Sequence, residues 1–559
     1  MELKLLVLGV LALLVVGHRL YGTRVARWVG VDDRQATPAH TKADGVDYVA
    51  TPPFYLFAQH FSAIAAAGPI AGPILAAQQY GWLPCLLWIG FGVVFIGAVH
   101  DFSTLVASLR HGGSTIAEVA RVRLGTRAGL TMSAFILLAL VYVLLAFTDI
   151  TAGSFASGTE ELAARTSDPT RFNPGGAVAA AAVGYLVLAV LLGAVERYLR
   201  TPLWLVNLTF VPALFALTWG ATKVSHVLVF DADTWALWIF GYCAVASLLP
   251  VWALLQPRGY LGGIVLYTAL AIAVLGLLFG DFTMHQPAFK GWDAGAAGTL
   301  MPFLFVTIAC GACSGFHGLV CSGTTSKQLD KESHAHHVGY GAMLAEGFVA
   351  VVALAAFLVL TPEQTVGADG KALKAGVLYG AGMGEFLSVL IGREHLEFAI
   401  TFGAMAFSTF VFDTLDVATR LGRYLVQELT GMKGTLGAVV AVSVVVLVPA
   451  LLHAFEEDGA AMRFWTLFGA SNQLLAALTF LCLAVWLKQE QRPTLFALLP
   501  LGFILSITVW ALISLGVSSV KASRGFDVQA ASAVVALLLL GLAASLVFAG
   551  VAAWRRARV

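Results

Sequence analysis

Charge is what this sequence has least of. Asp, Glu, Lys and Arg make up 12% of its 559 residues, about half the ~25% usual in soluble domains. So few charges cannot coat a globule of this size with water-facing side chains. No long polar block exists in which a separate soluble domain could fold. Cysteine is scarce as well: the six present lie mostly inside apolar runs, which argues against a disulfide framework. A net charge of +1 gives no footing for nucleic acid or for an acidic partner. There is no Walker motif, so ATP-driven pumping is unsupported, and no nucleophile triad can be assembled.

What the sequence has is apolar length. Hydrophobic residues make up 59% of it, in runs near twenty long, the length an α-helix needs to cross a ~30 Å hydrocarbon core. Irregular backbone cannot face lipid, so these runs are predicted to be helices. The expectation is an all-α polytopic membrane protein with about fifteen spans, roughly 3–22, 57–79, 82–108, 128–156, 176–196, 201–221, 235–255, 260–279, 299–320, 338–361, 396–418, 434–453, 461–487, 494–517 and 531–553. His18, Arg19 and Tyr21 follow the first run where a signal peptide would carry a small-residue cleavage site, so it reads as a retained span. The apolar stretch 377–391 is too short to cross comfortably and reads as re-entrant or interfacial. With that stretch not crossing, Arg19, Arg24, Arg27, Arg110, Arg121, Arg123, Arg197, Arg258, Lys327, Arg420, Arg423, Lys488 and the terminal Arg555, Arg556 and Arg558 fall on one side. The Lys/Arg bias then puts the N-terminus outside and the C-terminus in the cytoplasm, with loops 159–174, 280–298, 362–376 and 454–460 facing out.

Most spans are plain Leu/Val/Ala runs. Two are not. The second contains Gly68-Pro69 and Gly72-Pro73 at mid-membrane. Proline removes backbone hydrogen bonds, and two such pairs favour local unwinding over a kinked helix packed through small residues. The ninth contains Gly311, Ser314, Gly315, His317 and Gly318, then Ser322, Thr324 and Thr325. Broken spans of this kind build the solute sites of many transporters, and two of opposite direction are expected at the starts of an inverted repeat. On that reading 1–56 is a first span and linker, 57–221 and 299–487 are the repeats, 222–298 holds two connecting spans, and 488–559 holds two C-terminal spans. The two breaks are expected to face each other across one cavity, with Gly68, Pro69, Gly72, Gly311 and Gly315 as backbone, and His60, His317 and Ser314 as the nearest side chains. Opposed helix ends would offer N–H dipoles to a carboxylate.

Charged groups at membrane depth are functional candidates. Asp101 follows His100 in span three, and Asp413 and Asp416 lie in span eleven. The alternative for Asp101 and Asp416 is a structural ion pair with Arg110 or Arg420. Glu346 and Asp149 have no surrounding motif and read as structural. Cys310, Cys313, His317 and Cys321 recur every three or four residues and would share one helix face, but a rigid stripe seldom supplies four ligands to one metal. His334, His336 and His337 form a small cytoplasmic cluster that reads as a solvated loop with incidental metal affinity.

The blocks HFSAIAAAGPIAGPILA (60–76), GWLPCLLWIGFGVVFIGAVHDF (81–102), GACSGFHGLVCSGTTSKQ (311–328), GYGAMLAEG (339–347), DTLDVATRLGRYLVQE (413–428) and LFGASNQLLAAL (467–478) resemble the carbon starvation protein A family of bacterial inner-membrane transporters. The resemblance implies secondary transport of peptides or of a small carboxylate such as pyruvate, no enzyme activity and no cofactor. It also implies kinship with the amino acid–polyamine–organocation superfamily, whose leucine-transporter-like core is a 5+5 inverted repeat with extra peripheral helices. In that fold a sodium site joins the first broken helix to hydroxyls on the eighth. Here that means carbonyls near Ala65 and Gly68 with Ser408 and Thr409, and Asp413 one turn on. Asp413 with His317 could carry H⁺ instead of Na⁺, and Asp101 is a further ion-coupling candidate. The competing class is an intramembrane sensor or enzyme using the buried His and Asp residues. Partners are then a small solute and the bilayer, with no nucleic acid.

Overall fold

The computed structural model describes residues 3–44, 48–65, 67–156, 172–199, 201–367, 370–454, 460–523, 525 and 528–557. The expected outward loops 159–174 and 454–460 and the terminal Arg558 lie wholly or largely outside them. All regular structure among the described residues is helical. In chain order the helices are α1 (Leu3–Val29), α2 (Pro53–Ile64), α3 (Ala67–Tyr80), α4 (Trp82–Arg110), α5 (Ile116–Leu124), α6 (Thr126–Ala156), α7 (Pro174–Leu199), α8 (Leu203–Lys223), α9 (Ala232–Leu248) and α10 (Leu255–Phe279). Then follow α11 (Leu300–Thr307), α12 (Gly315–Gly323), α13 (His336–Leu358), α14 (Ala375–Ile391), α15 (Leu396–Thr430), α16 (Gly434–Ala454), α17 (Ala460–Gln489), α18 (Leu495–Ala522) and α19 (Val528–Arg556).

Twelve helices among the described residues are long and apolar enough to cross a bilayer, or thirteen if α2 and α3, bent by 45°, form one span. Two expected spans take another form. The run at 235–255 gives α9, a helix of 17 residues that stops at Leu248 ahead of Pro250, because the residue before a proline disfavours helical backbone. The run at 299–320 gives α11 and α12, of 8 and 9 residues, with non-helical backbone between them.

Helix ends are set by side chains that satisfy the first free N–H groups. Asn173 accepts from Gly176 N at 3.0 Å ahead of Pro174, and Asp231 accepts from Thr234 N at 2.7 Å. Burial sorts the helices into centre and rim. The apolar stretch of α17 is 100% buried and that of α15 94%, against 28% for α1, α8 and α19. The rim helices turn residues such as Leu436, Leu537 and Phe548 outward, as lipid-facing helices do.

Basic residues of distant segments meet at one end of the bundle. Arg110 pairs with Glu332, Arg123 with Glu490, and Lys42 donates to the Gly112 carbonyl. Arg420 and Glu428 line the same cavity as Thr115 and Lys327. Helix α14, 17 residues long and largely buried, packs against both α13 and α15. At the opposite end Lys4 meets Asp281, Tyr80 donates to carbonyls at 297–299, and Gln78 donates to Leu373 O.

Candidate substrate and coupling site

The second span breaks at Ala65, ahead of the expected Gly68–Pro73, and α3 is helical through both Gly-Pro pairs; it lies against the broken segment 308–314. A Cβ on Gly68 would sit 2.3 Å from Cys310 Cβ, one on Gly72 2.7 Å from the Thr307 carbonyl oxygen, and one on Gly311 3.4 Å from Pro69 Cα. At Gly72 only glycine permits this approach to backbone, and at Gly68 it makes room for the Cys310 side chain. The consequence is that the expected cavity between the breaks is closed. Gly68, Pro69, Gly72, Gly311, Ser314, Gly315 and His317 are all buried.

Unwinding 308–314 frees backbone groups that lipid could not satisfy, and α17 supplies partners. Trp465 Nε1 donates to Thr307 O at 3.2 Å and Gln473 Nε2 to Phe305 O at 2.8 Å. Asn472 Oδ1 accepts from Phe316 N at 2.8 Å, while its amide donates to Ser314 Oγ at 3.0 Å and Cys310 Sγ at 3.2 Å. Gly315 lies under Asn472, where a Cβ would be 2.4 Å from its carbonyl oxygen. The sequence reading did not pick out Asn472 or Gln473 as site residues, although a polar pair in the apolar run LFGASNQLLAAL was the available signal. The break also removes the shared helix face expected for the cysteines: Cys310 and Cys313 fall in non-helical backbone while Cys321 is in α12.

A first buried cluster follows directly. His317, near the start of α12, has Nδ1 2.9 Å from Asp101 Oδ2, and His100 Nδ1 lies 2.8 Å from Asp101 Oδ1. On its other side His317 Nε2 is 3.2 Å from Glu346 Oε2, close enough to pair ions but without hydrogen-bond geometry, so both Glu346 oxygens lack a hydrogen-bond partner. All four side chains are at most 1% exposed. Gly318 makes room: a Cβ there would be 3.1 Å from His100 Cε1. Two expectations change here. Glu346 is not an isolated structural acid but the second carboxylate on His317. Arg110 is not the partner of Asp101; nine residues on, it stands about 13.5 Å further along the helix and pairs with Glu332 instead.

A second buried cluster gathers around Arg258 of α10, which is 0% exposed. Its Nε donates to Asp413 Oδ1 at 2.7 Å, and its guanidinium also pairs with Asp416 and Tyr242. Tyr242 donates to Asp416 Oδ2 at 2.9 Å, Ser62 Oγ to Asp413 Oδ2 at 2.9 Å, and Tyr185 OH to the Arg258 carbonyl at 2.6 Å. The sequence reading placed Arg258 in a loop and offered Arg420 to Asp416. Arg420 instead donates to Ala246 O and Leu249 O, carbonyls that the end of α9 leaves unpaired. Ser408 and Thr409 are buried and spend their hydroxyl hydrogens inside α15, on Met405 O at 3.0 Å and Met405 Sδ at 3.4 Å. The contact joining α2 to α15 is Ser62–Asp413, and Ala65 ends α2 with φ −73° and ψ 62°. Asp149 is half-buried in α6.

Open space lies toward the basic end of the breaks. A cavity of about 340 Å³ is lined by His60, Ser62, Gln256, Thr325, Lys327 and Asp413 among others. It runs into a second of about 320 Å³, sharing Leu255, Gly323, Thr324, Lys327 and Val417, and reaching Arg420 and Glu428. His60 Nδ1 is 2.8 Å from Thr325 Oγ1. Of the expected substrate residues His60 alone lines this vestibule; of the expected ion residues Asp413 does.

A bundle of membrane-spanning helices with two broken segments in contact, buried charge clusters beside them and a vestibule open to one end is a transporter, not an enzyme. The chain belongs to the carbon starvation protein CstA family, whose sequence profile matches residues 2–378 and 363–511. It is 32% identical over 552 residues to the peptide transporter CstA of Bacillus subtilis, covering 89% of this chain and 88% of that protein. It is 31% identical over 600 residues to the pyruvate/proton symporter BtsT of Escherichia coli, covering 91% and 81%. Among solved structures, a Na⁺-coupled sialic acid symporter aligns with TM-score 0.45 at 12% identity over 98% of this chain and 96% of that one. A manganese transporter of Eremococcus coleocola aligns with TM-score 0.45 at 12% identity over 92% and 99%.

Proposed function

We propose that this chain imports a small carboxylate or a peptide across a bacterial inner membrane by proton-coupled alternating access. The observation that carries the reading is His317 held between Asp101 and Glu346 on three different elements, α12, α4 and α13. An imidazole between two carboxylates can take up and release a proton as those elements move, and a buried cluster does so only when opened to water. Relatives named as a peptide transporter and a pyruvate/proton symporter set the substrate class. A carboxylate is common to both, and Lys327, which lines both parts of the vestibule with His60 beside it, is the cation placed to meet it. The vestibule is of the size that small-molecule sites have. The end carrying Arg110, Arg123, Lys327 and Lys488 is assigned to the cytoplasm by the Lys/Arg bias, with the N-terminus outside.

A sodium reading rests on Ser408, Thr409 and Asp413. Arg258 already supplies the cation at Asp413, the one carboxylate of that set, so the proton is favoured. The test is uptake of pyruvate and of dipeptides into proteoliposomes under a proton gradient or a sodium gradient. Saturable accumulation driven by the proton gradient and indifferent to sodium is expected. Accumulation that requires sodium would overturn the reading.

The packing supports an inverted repeat with one revised boundary. α12 packs on α4 as α3 packs on α13, α5 lies between α4 and α6 as α14 lies between α13 and α15, and α17 packs on α5, α6 and α11 as α10 packs on α14, α15 and α2. On this pairing the first repeat closes with α10, the helix of Arg258, and not at residue 221.

A further inference from the structure

We propose that His18, His336 and His337 form a transition-metal site, for zinc or another late first-row divalent ion, that pins α1 to α13 at the basic end of the bundle. The sequence reading of 334–337 as a solvated loop does not hold for two of these residues. His336 and His337 open α13, and both face His18 of α1. One ring nitrogen from each of the three lies within 4.8 Å of the others. The ring centroids are 4.4 Å apart for His18–His336, and 5.4 Å for both His18–His337 and His336–His337.

Both segments are π-helical turns, Gly17–Gly22 and His336–Gly341. Such turns are rare and concentrate at functional sites. The wider turn brings the consecutive side chains of His336 and His337 closer round the helix axis. Gly22 clears the space: a Cβ there would lie 2.7 Å from His336 Nε2. A tetrahedral ion with ligands at ~2.1 Å sets its donors about 3.4 Å apart, so rotation of the side chains closes the site without moving either helix.

The donor set selects the ion. Three imidazoles without a carboxylate suit Zn²⁺, Ni²⁺ or copper and not Mg²⁺ or Ca²⁺, which take oxygen ligands. Ring packing alone would account for the contacts with Tyr340 and Phe102. It does not account for His336 Nε2, which is buried without a hydrogen-bond partner. His337 is exposed, so the ion can enter from solvent and keep an open fourth position.

The test uses the full chain in detergent, purified without a polyhistidine tag and stripped with chelator. Calorimetric titration with ZnCl₂ is expected to give one ion per chain, and Co²⁺ to give visible absorption bands. His18→Ala and His336→Gln should each weaken binding about tenfold or more, and His40→Ala, on an exposed residue bonded to Asp330, should not. Zinc should raise the melting temperature of the wild type and leave that of His336→Gln unchanged, which separates ligand loss from misfolding. No zinc uptake by the wild type at about tenfold excess of ion would overturn the proposal. So would equal stoichiometry and affinity in the triple variant H18A/H336A/H337A.

Discussion

Arg258 Nε lies 2.7 Å from Asp413 Oδ1, with side chains 0% and 5% exposed. An arginine and an aspartate brought together from α10 and α15 across 155 residues hold the vestibule wall, because Asp413 also receives Ser62 of α2. Breaking a buried pair by removing one partner is expected to cost about 3–5 kcal/mol, since it strands the other charge. Arg258→Met should therefore lower the melting temperature in detergent and reduce yield. The triple variant R258M/D413N/D416N, with no charge left unpaired, should recover stability while uptake stays lost. Equal melting temperatures for R258M and wild type would contradict the role of the cluster.

Glu346→Gln keeps the volume of the side chain and removes its proton site. Accumulation driven by a proton gradient is expected to fall about tenfold or more, on the scale of a removed proton-transfer group, while exchange of labelled for unlabelled substrate continues. His317→Gln should behave alike, and the double variant should be no worse than either single one, as groups acting in one network are not additive. Full accumulation in E346Q would remove this cluster from coupling.

The double variant S408A/T409A is expected to keep both uptake and its ion dependence. With Asp413 paired to Arg258, what the variant loses is two hydroxyl bonds within its own helix, each contributing about 0.5–1.5 kcal/mol, so a small drop in melting temperature is expected. Loss of sodium-dependent uptake in this variant would restore the sodium reading.

The all-helical, many-span character and the broken ninth run were legible because they follow from one-dimensional signals: apolar length and a cluster of glycines and hydroxyls inside an apolar run. Partners were not. Glu346 sits in a plain apolar run, and nothing local marks it as facing His317 from another element. Arg258 falls between the expected spans 235–255 and 260–279, yet α10 begins at Leu255 and carries it into the core. The closed gap between the breaks was missed for a related reason. Gly68 and Gly72 stay helical and let α3 pack closely on the segment at Thr307–Cys310, and sequence does not tell that use from unwinding.

Topology can be read with little background, because the six native cysteines are all buried. Single cysteines at Arg423 and Glu428, near the end of α15, should react with impermeant maleimide only from the cytoplasmic side. One at the exposed Glu363, between α13 and α14, should react only from outside. Reaction of the first two from outside would mean that α14 crosses if the Glu363 position still reacts from outside, or that the whole orientation reverses if it reacts from the cytoplasm.

Lys327 offers the last test, aimed at the substrate. It lines both parts of the vestibule and leans on Tyr48, with Nζ 5.4 Å from the ring centroid, while Lys42 stands 5.8 Å from the same ring. A partly exposed lysine of this kind contributes attraction to a carboxylate that salt screens over about 8–10 Å. Lys327→Gln is expected to raise the KM for pyruvate or peptide about tenfold with a smaller change in the maximal rate, because it acts on capture and not on the proton cluster. The affinity of the wild type should fall with ionic strength and that of K327Q should fall less. Lys327→Arg should recover much of the affinity, since the charge and reach are kept. An unchanged KM in K327Q would move carboxylate recognition elsewhere, to His60 or to the helix ends at the breaks.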